Sequence, residues 1–163
     1  TFVVAALALV TSRIEVGNSE TKLPNDFTYR AILRALFHDV PEAFTGDVIT
    51  PVKKRITKHA EKDWREIEVR RLQPLIASAQ EKVAADMKKL ELLDDTPSGD
   101  NVVVAKLVKE CDRLASLLEC VFERSAGLTY GEMEHAYDAY ARTLLSSSWR
   151  SIREIALSGL FRK

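Results

Sequence analysis

The chain has 163 residues, 46% of them hydrophobic, enough for one domain with a real core and too few for two ordinary ones. Acidic and basic residues balance at 24 each, so the formal net charge is zero, which argues against a dedicated nucleic-acid polymer binder with its usual basic excess. A small anionic substrate stays open, because a local cluster of bases can hold one.

The opening run TFVVAALALV is apolar, but a membrane span needs about 20 such residues and a signal peptide needs a basic leader. No membrane association is expected, and without an initiator Met the sequence is expected to begin inside the protein. Phe2 to Ile14 reads as a buried helix. GNSE and LPND then punctuate a loop. Asn25 or Asp26 should cap a second helix whose apolar face is Phe27, Ile32, Leu33, Leu36 and Phe37. Pro41 disfavours helical geometry at Val40, so this helix should stop near His38-Asp39.

Thr50-Pro51 is a helix start, with Thr as N-cap and Pro at the first helical position, where its missing N–H costs nothing. A charged helix should follow from His59 to Ala79, with Trp64, Ile67, Leu72 and Leu75 inward and Pro74 as a kink or break. EKVAADMKKLELL is amphipathic again, and DDTPSGDN is a loop. From Val102 to about Ala126 apolar residues recur at 104, 107, 108, 111, 114, 115 and 118, the period of a helix. AGLTYGE breaks the chain, with Thr129 or Tyr130 near the next helix start, and Tyr137 to Ile155 continues as a long final helix. No stretch alternates like a strand and nothing repeats, so the expected class is all-α, a single domain over residues 1–163.

Cys111 and Cys120 form no CxxC pair, and two cysteines are too few for a disulfide framework. Both sit in the apolar pattern, so buried free thiols and a reducing, cytoplasmic setting are expected.

One stretch differs from the rest. In HDVPEAFTGDVITPVK, His38 and Asp39 are adjacent, and Glu42 and Asp47 flank a Thr45-Gly46 turn. In mid-helix, neighbours point about 100° apart and could not share one ion. At a helix end, which Pro41 supplies, a long imidazole and a short carboxylate can converge. Gly46 would let backbone N–H groups approach an anion, and Lys53 and Lys54 follow in the first turns of the next helix, near its positive end.

A second piece is LVKECDRLASLLEC. Asp112 lies close to the apolar face of its helix, between Val108 and Ala115. A carboxylate aimed at a core is costly unless paired or coordinating a metal. A pair with Arg113 or a nearby Lys is the plain reading; with His38 and Asp39 available, a shared cation accounts for it better.

HDVPEAFTGDVITPVK followed much later by VKECDRL resembles the HD-domain metal-dependent phosphohydrolases, in the branch of the bacterial 5'-deoxynucleotidase YfbR. The match is specific at His38, Asp39, Glu42, Thr45, Gly46, Asp47, Pro51, Val52 and Lys53, and again at Asp112 and Leu114. The resemblance implies a core of five or six helices around one divalent metal held by His38, Asp39 and Asp112. It implies that Glu42 and Asp47 handle the nucleophilic water and the leaving group. It also implies hydrolysis of a phosphate monoester, with nucleoside 5'-monophosphates as substrates and Thr45, Gly46 and Lys53 facing the phosphate.

The chemistry is consistent with this. A phosphate monoester is very stable in water, and a divalent metal both lowers the pKa of a bound water and neutralises phosphoryl oxygens. One His with carboxylates suits Mn, Co, Fe or Zn, without choosing among them. The family takes a further His from its first helix, before a small hydroxyl residue and an apolar run. TFVVAALALV looks like that run, so the fourth ligand is expected directly upstream of Thr1.

Other candidates have plainer readings. His59 and His135 lie in charged segments and read as surface histidines. Trp64 and Trp149 read as core or interface anchors, while Tyr130, Tyr137 and Tyr140 could line a pocket or a homodimer contact. KKRITKH is a short solvated face. Two other functions stay open: a helical regulatory module that keeps the metal but not turnover, and a phosphodiesterase or triphosphohydrolase. The first would not need Glu42 and Asp47. The second would need more bases or a second, histidine-rich metal site.

Overall fold

A computed structural model describes residues 2–18, 22–40, 66–67, 70–74, 76–92 and 97–158, and among these every regular element is helical. The bounded helices are α1 (Phe2–Gly17), α2 (Phe27–Phe37), α3 (Glu81–Lys89), α4 (Asn101–Ser125), α5 (Gly131–Leu145) and α6 (Arg150–Leu157). The all-α expectation holds. Trp64 and His59 lie outside the described residues, and Pro74 falls within a helical stretch, 70–74.

The core is centred on α4. Val104, Leu107, Val108, Cys111, Leu114 and Leu117 are buried at helical spacing, and each fully buried Leu contributes about 1.5–3 kcal/mol. Around α4 lie α1, α2, α5 and α6, each touching it, and α1 also touches α2 and α6. Small residues set the closest approach: Ala5 and Ala8 of α1 and Ala31 and Ala35 of α2 are all buried in one cluster with Phe27. The inner stripe of α2 is therefore Phe27, Ala31, Arg34 and Ala35. Of the face expected from sequence, Ile32, Leu33 and Phe37 are only half-buried and Leu36 is exposed. Alanine rather than bulk points inward, because two helices can approach closely there.

The expectation of a wholly buried α1 is corrected. Val4, Ala5, Ala8, Thr11, Ser12 and Glu15 face inward, while Phe2, Val3, Leu9, Val10, Ile14 and Val16 are exposed. The buried polar groups are satisfied locally or across the core. Thr11 donates to the Leu7 carbonyl at 2.8 Å and Ser12 to that of Leu9 at 3.1 Å. Thr11 Oγ1 also lies 3.3 Å from Cys111 Sγ. Glu15 Oε1 accepts the Ser151 N–H at 2.7 Å, so a carboxylate from α1 caps the positive end of α6.

The long final helix expected over Tyr137–Ile155 is two helices, α5 and α6, broken at residues 146–149. Serines compete with the helix for backbone groups. Ser147 Oγ accepts the Trp149 N–H at 3.0 Å and donates to Glu110. The break turns Trp149 into the core, 5.9 Å from the Phe27 ring and stacked at 28°. Tyr137 is also buried, beneath the Arg124 guanidinium at 5.5 Å. The expected stop near Ala126 is a Schellman cap: Gly127 N–H bonds the Arg124 carbonyl, Leu128 N–H that of Glu123, and Gly127 takes φ +82.

Candidate metal centre

Helix α2 ends at Phe37, with His38 as its C-cap, and the Val40 N–H closes the turn on the Phe37 carbonyl at 3.1 Å. This is the end expected ahead of Pro41. The His38 ring folds back along the helix, and its Nδ1 lies 2.7 Å from the Ala35 carbonyl oxygen. A carbonyl only accepts, so Nδ1 carries the proton. Nε2 is then left facing outward from the helix. It is a buried atom with no hydrogen bond of acceptable geometry. Asp39 Oδ1 lies 2.9 Å from it and Asp112 Oδ1 3.6 Å from it.

The end of α2 and the middle of α4, distant in sequence, thus bring two carboxylate oxygens to one imidazole nitrogen. Burial alone would lower the His38 pKa, but the Asp112 and Asp39 carboxylates and the Ala35 carbonyl outweigh it, and the pKa lies above its ordinary 6.5. The field at Nε2 therefore favours a positive charge. The chemistry of these donors suits a divalent cation: with Nδ1 protonated toward Ala35, Nε2 would be available as a ligand, backed by an outer carbonyl in the usual way. Among the described residues no group of three or more His, Cys, Asp or Glu is arranged so that it could hold a metal ion by itself.

Asp112 needs one correction. It is not aimed into the core: its side chain is 52% exposed, and the buried stripe of α4 runs beside it through Val108, Cys111 and Leu114. Across the fold it faces His38, whose Nε2 lies 3.6 Å from Oδ1. Glu42, Thr45, Gly46, Asp47 and Lys53 lie outside the described residues. His135 is exposed, as expected. Cys111 is a buried free thiol, pushed by that burial to a pKa of about 11, and Cys120 is free and half-buried. The Ala35 carbonyl was passed over in the sequence, although a residue three positions before a helix-terminal His is a natural acceptor for its ring.

Fold and site together define a class: a helical domain with a His-Asp pair at one helix end set against an aspartate of another. The sequence narrows it further. Residues 1–155 match the model of the 5'-deoxynucleotidase YfbR-like family, and the chain belongs to that family. It is 34% identical over 126 residues to a 5'-deoxynucleotidase of Pectobacterium atrosepticum, covering 77% of this chain and 57% of that protein. It is 30% identical over the same length to 5'-deoxynucleotidases of Photorhabdus temperata and Vibrio vulnificus, covering 58% and 59% of them. The chain thus spans under two thirds of the length of these curated relatives. No solved structure matches it. Among the described residues no helix is long and apolar enough to cross a membrane.

Proposed function

We propose that this chain carries the metal-binding core of a divalent-metal-dependent 5'-nucleotidase that hydrolyses nucleoside 5'-monophosphates, deoxynucleotides included. The observation that carries the reading is the buried His38 Nε2, without a well-formed hydrogen bond and held against the Asp39 and Asp112 carboxylates. The deoxynucleotidase names of the family and its relatives support the substrate class. His38, Asp39 and Asp112 would hold the cation. When bound, it supplies charge neutralisation for the phosphoryl oxygens and acidifies a water.

The remaining work falls to this chain's own side chains. In the hydrolysis a water oxygen forms a bond to phosphorus and the bond from phosphorus to the 5' oxygen breaks. Glu42 takes the proton from the water and Asp47, protonated, gives one to the leaving alkoxide. The products are a nucleoside and inorganic phosphate. Thr45, Gly46 and Lys53 bind the phosphate through hydroxyl, backbone N–H and ammonium donors. The two free cysteines support a reducing, cytoplasmic location, and the exposed apolar residues of α1 support self-association as a homodimer.

The test is phosphate release from nucleoside mono-, di- and triphosphates in the presence of Mn, Co, Fe, Zn or Mg. Release confined to monophosphates and dependent on metal is expected; equal release from triphosphates would overturn the substrate class. Glu42→Ala should keep its metal by elemental analysis and lose about 10²–10⁴-fold in rate. Near-normal turnover in that variant would make Glu42 merely structural.

A further inference from the structure

The α3 C-terminus is unusual. Leu92 N–H bonds the Met87 carbonyl at 3.2 Å and Glu91 N–H that of Lys88 at 3.1 Å, the paired bonds of a Schellman cap. The residue in the left-handed position is Glu91, with φ 48, the one non-glycine with positive φ among the described residues. Glycine would take this conformation freely, whereas a residue with a side chain is strained there and stays only where its surroundings over-determine it. Glu91 is held from both sides. Its carbonyl accepts from Arg34 at 2.7 Å. Its carboxylate accepts from the Ser98 N–H and hydroxyl, each at 2.7 Å, and from the Asn101 amide at 3.1 Å. Asn101 Oδ1 in turn accepts from Arg30 at 3.1 Å.

Arg30, Arg34 and His38 follow one another at four-residue spacing on α2, so they share one side of it. Arg34 is buried and sits one turn before His38. Phe27 anchors the start of α2, but toward His38 the apolar inner stripe is alanine, so little interlocking bulk fixes the rotation of that end, and a rotation would swing Nε2 away from Asp112. We propose that Arg34 and Glu91 form a clasp that fixes the rotation of α2, making both of them positioning residues for His38. The inference rests on the reading of His38 as a metal ligand.

The test measures Co(II) affinity and the visible Co(II) spectrum in the purified chain, with the His38 imidazole ¹⁵N shifts of the metal-free protein as a second readout. Arg34→Met should weaken Co(II) binding, by less than the about 10–100-fold that loss of a group bonded directly to a ligand costs, and shift both signals. Arg34→Lys, which can still reach the carbonyl, should recover part of the loss. Glu91→Gly keeps the cap in a conformation glycine prefers and removes only the carboxylate, so it should fold whether or not Arg34→Met does, and it should weaken Co(II) binding in the same sense. Arg150→Ala, which removes an exposed pair with Glu154, serves as control. Wild-type affinity and spectrum in Glu91→Gly and in any folded Arg34→Met, alongside loss of binding in His38→Ala, would overturn the clasp and leave the metal reading intact. Unchanged Co(II) binding in His38→Ala would overturn the metal reading itself.

Discussion

Asp112 separates two demands that usually coincide in a charged residue near a core. Its side chain is half in solvent, so it adds little to folding, and substitutions at such positions stay within about 0.5 kcal/mol. Its proximity to His38 Nε2, 3.6 Å away, would make it essential to cation binding. Asp112→Asn should therefore leave the metal-free melting temperature essentially unchanged while metal content by elemental analysis collapses; full occupancy would remove Asp112 from the ligand set. The sequence was legible here as a pattern and illegible as a burial. Helical periodicity told which side of α4 carries Asp112, but not that this side emerges at the rim of the core. The pairing with His38 was legible because Pro41 forces a helix end at that point. The Ala35 carbonyl, which sets the tautomer, leaves no trace in side-chain chemistry.

At the level of helices, α1 shows why periodicity alone misled. Its apolar residues run nearly all round, so its buried face is identified by Thr11, Ser12 and Glu15, the polar groups that found partners inside. Glu15→Ala would strand the buried Ser151 N–H, a cost of about 1–3 kcal/mol, readable as a shift in urea midpoint; no shift would mean that water replaces the carboxylate. The α5–α6 break was hidden because three serines interrupt a helix only when their hydroxyls find better partners, as Ser147 does. The cap of α3 titrates. Ser98 N–H, Ser98 hydroxyl and Asn101 hold the Glu91 carboxyl below its ordinary value of 4.5. Its contribution is complete above that value and is lost as pH falls through the lower, folded value. The stability gap between wild type and Glu91→Gln should be flat at neutral pH and close only below 4.5; a gap that persists unchanged into acid would show that the charge is immaterial.

For the molecule as a whole, a cation that binds only the folded form links stability to metal. At a concentration of about 100 times its Kd it would add about 2.7 kcal/mol, roughly 5–11 °C in melting temperature for a domain of this size. Wild type should show this rise with Co(II) and His38→Ala should not; equal rises would point to binding elsewhere. Fold class and the proximity of Asp39 and Asp112 to His38 were readable because they rest on local periods, a proline and three side chains. The order of packing was not, since it depends on which faces meet.

That order has a consequence for synthesis. Glu15 and Ser151 are joined across 136 positions of sequence, and α1 rests on α2, α4 and α6 together. A ribosome adding about 5–20 residues per second would deliver Ser151 some 7–27 s after Glu15. Throughout that interval an apolar segment of the nascent chain would be waiting for its last partner.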